Sequence, residues 1–101
     1  MKDWSEYTED TEPLGDLGHD AVNMLTQADI GFDRNDTALQ LQRIGQQVTE
    51  LGMALDLEDQ EGEYQQIADI VISTCVLAAM SGVVLDLCVE VRWTQVREQY
   101  S

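Results

Sequence analysis

The longest apolar stretch of the chain runs from Tyr64 to Leu87, with the sequence YQQIADIVISTCVLAAMSGVVLDL. Between Asp69 and Asp86 it holds sixteen residues without a charge. Strands are usually about 3–10 residues long, so this stretch is too long for one strand. A membrane span needs roughly 20 apolar residues, so the stretch is too short to cross a membrane and predicts the core helix of a soluble protein. A helix that is apolar on nearly all sides must be covered by other helices. We therefore expect an all-α protein in which the other segments, and a second copy of the chain, surround this helix.

The chain has 101 residues, which favours one domain with a modest core. Twenty Asp and Glu residues against five Lys and Arg give a net charge of −15. Direct nucleic-acid binding and membrane binding are not expected, because attraction to phosphates depends on Lys and Arg. Three explanations of the acidity stay open: a solvated surface that keeps the protein soluble, adaptation to high salt, and a surface that mimics nucleic acid or collects divalent cations.

The two cysteines, Cys75 and Cys88, lie thirteen residues apart in the apolar half of the chain. This spacing matches no metal-ligand pattern, so we expect free thiols in a reducing compartment. The sequence also lacks the basic segment and short apolar run of a signal peptide. The expected location is the cytoplasm.

Residues 1–16 carry six carboxylates against a single cation, Lys2. Pro13 and Gly15 are expected to interrupt any regular element there. We therefore predict an acidic, weakly ordered N-terminal arm over residues 1–16, followed by a single all-α domain over residues 17–101. Three residues of the arm are expected to anchor it to the body or to a partner: Trp4, Tyr7 and Leu14.

Apolar residues at steps of three and four predict four helices in the domain. Their expected ranges are residues 17–30, 37–57, 63–81 and 83–99. Asn35 or Asp36 is expected to cap the second helix, and Ser81 with Gly82 to end the third. An acidic connection over residues 56–63 should make the two long helices antiparallel neighbours at the centre of a four-helix bundle.

Two sets of apolar residues are predicted to face the core. On the second helix the expected core stripe is Leu41, Ile44, Val48, Leu51 and Leu55. On the fourth helix the expected inward residues are Val84, Leu87, Cys88, Val91 and Val96.

Polar residues lie beside these stripes at helical spacing. Gln46, Gln47 and Glu50 share a side of the second helix, and Gln66 and Asp69 share a side of the third. In an antiparallel pair, Glu50 and Asp69 would come into one region. Two close carboxylates repel each other unless a hard cation such as Mg²⁺ lies between them. The same residues could instead hydrogen-bond across a helix interface, and spacing alone leaves both interpretations open.

From Thr37 to Tyr100 the chain resembles the MazG-like all-α nucleoside triphosphate pyrophosphohydrolases. The segment IGQQVTELGMAL at 44–55 is similar to the setting of the family's Glu-Glu-x-x-Glu motif. YQQIADIVISTCVLA at 64–78 resembles the setting of its Glu-x-x-Asp motif, and SGVVLDLCVEV with RWTQVREQY at 81–100 resembles its closing segment. The resemblance implies a helical dimer or dimer of dimers whose carboxylates hold Mg²⁺ while a water splits NTP into NMP and pyrophosphate.

The departures from the family fall on its metal ligands. Gln46, Gln47 and Gln66 stand at three of the five motif acids, and only Glu50 and Asp69 keep a carboxylate. Each charged ligand that is lost should weaken Mg²⁺ binding and leaves no evident base for the water. Any Mg²⁺ site is therefore expected to be weak, with Glu50 and Asp69 as ligands and the three glutamines contacting the nucleotide.

The closing segment keeps its positive charge. Arg92 and Arg97 stand where the resemblance implies residues near the phosphates, whereas Val96 replaces the family's asparagine. The expected function is therefore a MazG-like homo-oligomer that binds a nucleotide or a related phosphate ligand, with weak or lost hydrolysis.

Two alternative functions stay open. One is an active Mg²⁺-dependent NTP pyrophosphohydrolase with a rearranged site, in which acids of the connection replace the missing ligands: Asp56, Glu58 or Asp59. The other is a non-catalytic acidic protein that occupies a basic surface of a partner protein.

Overall fold

The computed structural model describes residues 13–28 and 31–100. Four helices occur there: α1 (Pro13–Ala28), α2 (Thr37–Asp56), α3 (Gln60–Ser81) and α4 (Leu85–Gln99). No strand occurs within these ranges, so the prediction of an all-α protein with four helices is confirmed. Most of the predicted acidic arm, residues 1–12, and the predicted end of the first helix at residue 30 lie outside the described residues.

The first helix begins at Pro13 instead of at residue 17, so the expectation that Pro13 and Gly15 interrupt a regular element is wrong. Proline is compatible with the first helical position, because N–H groups there have no partner within the helix. The next two N–H groups are bonded to the carboxylate of Asp86, at 3.2 Å from Leu14 N and 2.9 Å from Gly15 N. Because Asp86 lies in α4, the local sequence could not indicate this cap.

The ends of the other helices follow the local sequence. Asp36 caps α2, since its Oδ1 accepts a hydrogen bond from Leu39 N at 3.0 Å. Asp59 caps α3 in the same way, accepting from Gly62 N at 3.1 Å. Gly82 ends α3 with φ of 71°, a left-handed conformation that favours glycine. The predicted cap of α2 and the predicted end of α3 are confirmed.

The connection between α2 and α3 is shorter than predicted. It consists of residues 57–59, and Glu61 and Glu63 lie in the first turn of α3. Acids in a first turn are stabilised by the positive end of the helix dipole, so these two glutamates favour an earlier helix start.

The core lies between α1 and α3. Ala21 and Val22 of α1 pack against Val76 of α3, which is almost fully buried. The two helices approach closely at Gly18, where a Cβ atom would overlap the carbonyl oxygen of Cys75. α3 also packs along α2, whereas α4 makes few contacts with the other helices.

The prediction of the core stripe on α2 is wrong for three of its five residues. Leu41 is 61% exposed, and Val48 and Leu55 are each 52% exposed. Ile44 and Leu51 are partly buried. These three exposed residues, seven apart, form what we call the outer apolar face of α2.

A different face of α2 is directed at α3. It consists of Gln40, Gln47 and Ala54, and we call it the amide face. Gln40 is 4% exposed and Ala54 is also buried. Each member precedes a residue of the outer apolar face by one position, which corresponds to a rotation of about 100° around the helix. Both faces repeat every seven residues in the sequence, and the one that packs against α3 is the amide face.

The prediction of the inward residues of α4 is also wrong in part. Val84, Cys88 and Val91 are exposed, and Leu87 and Val96 are only partly buried. The reason is the course of the chain, because α4 turns away from α3 at an angle of 112° and lies at the edge of the molecule. Within the described residues no single helix has the length and hydropathy of a membrane span. Only α3 and α4 taken together have that length and hydropathy, and the chain bends by 112° between them.

Candidate functional site

The interface between α2 and α3 is built around side-chain amides. Gln40 Nε2 donates to the carbonyl oxygen of Ser73 at 3.0 Å, which places the start of α2 beside the end of α3. Gln47 lies seven residues after Gln40, and Gln66 lies seven residues before Ser73. Because the helices run antiparallel, two turns along each helix place Gln47 and Gln66 at about the same level of the interface, and we call them the glutamine pair.

This pair of glutamines has unused hydrogen-bonding capacity. Gln47 Oε1 and Gln66 Oε1 are both buried, and neither accepts a hydrogen bond from the described part of the chain. A buried acceptor without a donor costs about 1–3 kcal/mol, so this pair is an unfavourable way to hold two helices together.

The two carboxylates of the predicted site lie on opposite sides of the glutamine pair. Glu50 follows Gln47 by three residues toward the turn, and Asp69 follows Gln66 by three residues away from it. At 1.5 Å per residue, this offsets the two carboxylates by about 9 Å along the helices. Glu50 and Asp69 accordingly line two different cavities.

The cavity on the Asp69 side has a volume of about 300 Å³ and lies between α1, α2 and α3. We call it the Arg43 cavity, because Arg43 supplies its positive charge. Its polar lining consists of Gln40, Arg43, Gln47, Asp69 and Ser73. It therefore combines a cation, a carboxylate and amides over a floor of apolar side chains.

Arg43 is held in place by the loop after α1. Its Nη2 donates to the carbonyl oxygen of Gly31 at 3.1 Å, and its guanidinium lies 5.8 Å from the centre of the Phe32 ring. The sequence analysis did not select Arg43. A signal was present, since Arg43 lies three residues after Gln40 and four before Gln47, on the same side of α2.

The second cavity, of about 190 Å³, lies near the turn between α2 and α3. We call it the Glu50 cavity, and its polar lining is Glu50, Asp59 and Gln66. Gln46 is exposed and lies beside it, with Nε2 at 3.5 Å from Glu50 Oε1. Asp59 already accepts the capping hydrogen bond of α3, so its carboxylate is partly committed.

A metal site of the ordinary kind is not assembled in the part of the chain described. No group of three or more His, Cys, Asp or Glu residues there is arranged to hold a metal ion. Mg²⁺ is usually held by one or two carboxylates together with substrate phosphates and several waters. Glu50 or Asp69 could each supply one such ligand, but from separate cavities.

The arginines of the closing segment lie away from both cavities. Arg92 lines a groove on α4, and its Nη1 donates to Gln95 Oε1 at 3.1 Å. The guanidinium of Arg97 lies 5.9 Å from the centre of the Trp93 ring. Neither arginine lines the Arg43 cavity or the Glu50 cavity, so one chain does not bring them to the glutamines.

Both cysteines are free, as expected. Burial raises the pKa of the Cys75 thiol, and the negative charge of Asp86 raises this pKa further. Cys75 is therefore a packing residue of the α1–α3 core, and Cys88 is exposed on α4.

The described residues thus define a small all-α protein of four helices with two polar cavities along one interhelical interface. Comparison of the chain with models of protein families, with curated proteins and with solved structures found no match. The resemblance to the MazG-like family therefore stays a proposal.

Proposed function

We propose that this chain is a MazG-like helical protein that binds a nucleotide or a related phosphate ligand, with weak or lost NTP pyrophosphohydrolase activity. The observation that carries the proposal is the separation of Glu50 and Asp69 by an uncharged glutamine pair. Within the described residues, polar groups that could bind a ligand line the Arg43 cavity, whereas Glu50 and Asp69 cannot hold one cation together from their separate cavities.

The Arg43 cavity is the better place for such a ligand. A guanidinium can donate two parallel hydrogen bonds to a phosphate, and it stays charged at any physiological pH. Gln40, Gln47 and Ser73 offer neutral polar groups for a base or a sugar. Asp69 is the one carboxylate in this lining, and it is the expected contact for a weakly held Mg²⁺ that accompanies the phosphates.

The proposal includes assembly as a homodimer or a dimer of dimers. Leu41, Val48 and Leu55 repeat every seven residues on the outer apolar face of α2, a spacing typical of helix–helix seams. Ile67 and Val71 of α3 are also exposed, so both long helices leave large apolar side chains uncovered in a single chain. Several large apolar side chains left exposed on the two longest helices favour an interface with another chain.

The direct test combines binding with turnover. The chain is titrated with a panel of NTPs and dNTPs by calorimetry, with and without Mg²⁺, and pyrophosphate release is followed in parallel. We expect measurable binding and little or no turnover. Arg43→Gln should abolish binding, and Arg34→Gln, which removes an exposed charge from the loop before α2, should not. Rapid pyrophosphate release, or binding that is unchanged in Arg43→Gln, would contradict the proposal.

One observation favours a second candidate, an active hydrolase with a rearranged metal site. Glu50 and Asp59 line the same cavity, so an acid from the connection does lie near one motif carboxylate. Asp59→Asn removes the negative charge of this residue but keeps its role as the cap of α3, because asparagine is an equally good helix cap. If this candidate is correct, Mg²⁺-dependent turnover occurs in the native chain and is lost in Asp59→Asn without loss of helix content.

A further inference from the structure

The surface of α4 contains an apolar groove that no described residue fills. It has a volume of about 360 Å³ and is lined by Cys88, Val89, Arg92, Trp93 and Val96. Trp93 is 54% exposed, although an aromatic ring of this size usually buries most of its area. No carboxylate lines the groove. An occupant would therefore be apolar or aromatic and would carry negative charge.

We propose that this groove binds residues 1–12 of the same chain. That segment, MKDWSEYTEDTE, carries five carboxylates against Lys2 and includes two large aromatic side chains, those of Trp4 and Tyr7. Its composition is the complement of the groove: aromatic rings for the apolar floor, and carboxylates for the cations that flank it.

The start of α1 brings this segment to the correct end of α4. Leu14 N and Gly15 N donate to the carboxylate of Asp86, in the first turn of α4. The start of α1, to which residues 1–12 are joined, therefore lies next to the N-terminus of α4. Trp93 and Arg97 follow Asp86 by seven and eleven residues, so all three share one side of the helix. A chain that leaves α1 can run along this side.

The length of the segment is sufficient. Twelve residues span at most about 40 Å when extended, at 3.3–3.6 Å per residue. The fifteen residues of α4 span about 22 Å, at 1.5 Å per residue. The segment can therefore cover the whole groove with slack for an irregular path.

Charge favours this occupant over a second copy of α4. Arg92 contacts the neutral amide of Gln95, and Arg97 stacks on Trp93, so both guanidinium groups can attract carboxylates. A twofold contact between two such grooves would supply no carboxylate to either arginine from the lining, because the lining of each copy contains none. The lining of the groove carries a single charge, that of Arg92, and residues 1–12 supply both carboxylates for that charge and aromatic rings for the apolar lining.

Tryptophan fluorescence gives the test, because the chain has two tryptophans, Trp4 and Trp93. In a Trp93→Phe variant, Trp4 is the sole reporter and the groove keeps an aromatic ring. We expect Trp4 to be protected from acrylamide, a neutral quencher, relative to the same variant unfolded in urea. Adding Arg92→Gln and Arg97→Gln should remove that protection, and 1 M salt should weaken it, because the Debye length falls to about 3 Å.

The matched control is Arg34→Gln, which removes an exposed positive charge far from α4 in sequence. It should leave the protection of Trp4 unchanged. The proposal is overturned if Trp4 is as accessible in the folded variant as in urea, or if Arg34→Gln has the same effect as the α4 substitutions. Protection that disappears on dilution would also overturn it, since the segment would then come from a second copy.

A second measurement does not depend on Trp93→Phe. In a Trp4→Phe variant, Trp93 reports on the groove itself, and it should be protected in the full-length chain. Deletion of residues 2–12 should expose Trp93 to acrylamide while circular dichroism shows the same helix content. Unchanged accessibility of Trp93 after the deletion would refute the proposal.

Discussion

The side-chain amide of Gln40 donates to the carbonyl oxygen of Ser73 at 3.0 Å, and this hydrogen bond links the start of α2 to the end of α3. Gln40 is only 4% exposed to solvent, although its side chain is polar. The bond joins the amide face of α2 to α3, and the outer apolar face lies about 100° away around the same helix.

Removing this hydrogen bond should cost stability. Gln40→Ala leaves a cavity and deletes the donor, so we expect the free energy of unfolding to fall by about 2–3 kcal/mol. The measurement is urea unfolding followed by circular dichroism. Gln42→Ala is the control, because Gln42 is an exposed glutamine of the same helix and should change stability by less than about 0.5 kcal/mol. Equal losses of stability in the two variants would show that the hydrogen bond from Gln40 to Ser73 does not stabilise the fold.

The Asp86 carboxylate should stabilise the start of α1 from a distance. Asp86→Ala removes the acceptor of two hydrogen bonds from Leu14 N and Gly15 N, and we expect a loss of about 2 kcal/mol. Hydrogen exchange should show the loss concentrated in the first turn of α1. Asp20→Ala, at an exposed carboxylate of α1, serves as the comparison, and a similar loss there would argue for a general charge effect.

Two glycines should respond to alanine in opposite directions. At Gly18 a Cβ atom would overlap the Cys75 carbonyl oxygen, so Gly18→Ala should destabilise the chain by about 1–3 kcal/mol. At Gly45, in the middle of α2, an added Cβ would meet no atom of another helix within 4 Å. Gly45→Ala should therefore stabilise the chain by about 0.5–1 kcal/mol through helix propensity. The melting temperature should fall in Gly18→Ala and rise in Gly45→Ala. A lower melting temperature in Gly45→Ala would indicate that another chain or segment packs closely against Gly45.

The outer apolar face of α2 should mediate assembly. Val48→Lys places a charge at the centre of this face, so the mass measured by light scattering should fall to that of one chain. Thr49→Lys, at the next exposed position, should leave the mass unchanged. If the native chain is already monomeric at micromolar concentration, the proposed dimer is wrong.

Introducing two acids at the glutamine pair should create a Mg²⁺ site. In Gln47→Glu with Gln66→Glu, two partly buried carboxylates lie at the same level of the α2–α3 interface, so the folded chain should be less stable without metal. Mg²⁺ should then raise the melting temperature of this variant and leave that of the native chain almost unchanged. Gln42→Glu with Gln65→Glu adds the same charge at exposed positions and should show no Mg²⁺ effect.

Local signals in the sequence were sufficient to predict the helices and two of their ends. Asp36 and Gly82 act on backbone groups within a few residues of themselves, so the sequence around them contains the whole interaction. The number of helices and the absence of strands in the described chain follow from apolar spacing in the same way.

The contacts between helices could not be predicted in this way. Gln40 and Leu41 belong to two equally regular stripes on α2, and only the partner helix determines which one is covered. The cap of α1 by Asp86 joins residues more than seventy positions apart. Arg43 enters the candidate site because the loop at Gly31 holds it, an interaction without a local pattern.

The adjacency of the two stripes on α2 makes this helix sensitive to insertions and deletions. Deletion of one residue between Gln40 and Gln47 would turn the second half of α2 by about 100° relative to the first. Val48 and Leu55 would then take the positions that face α3, and Gln47 would turn away from that interface. Such a variant should replace the amide lining of the Arg43 cavity by apolar contacts with α3 and should lose the outer apolar face, so a single-residue deletion in α2 would change the cavity and that surface together.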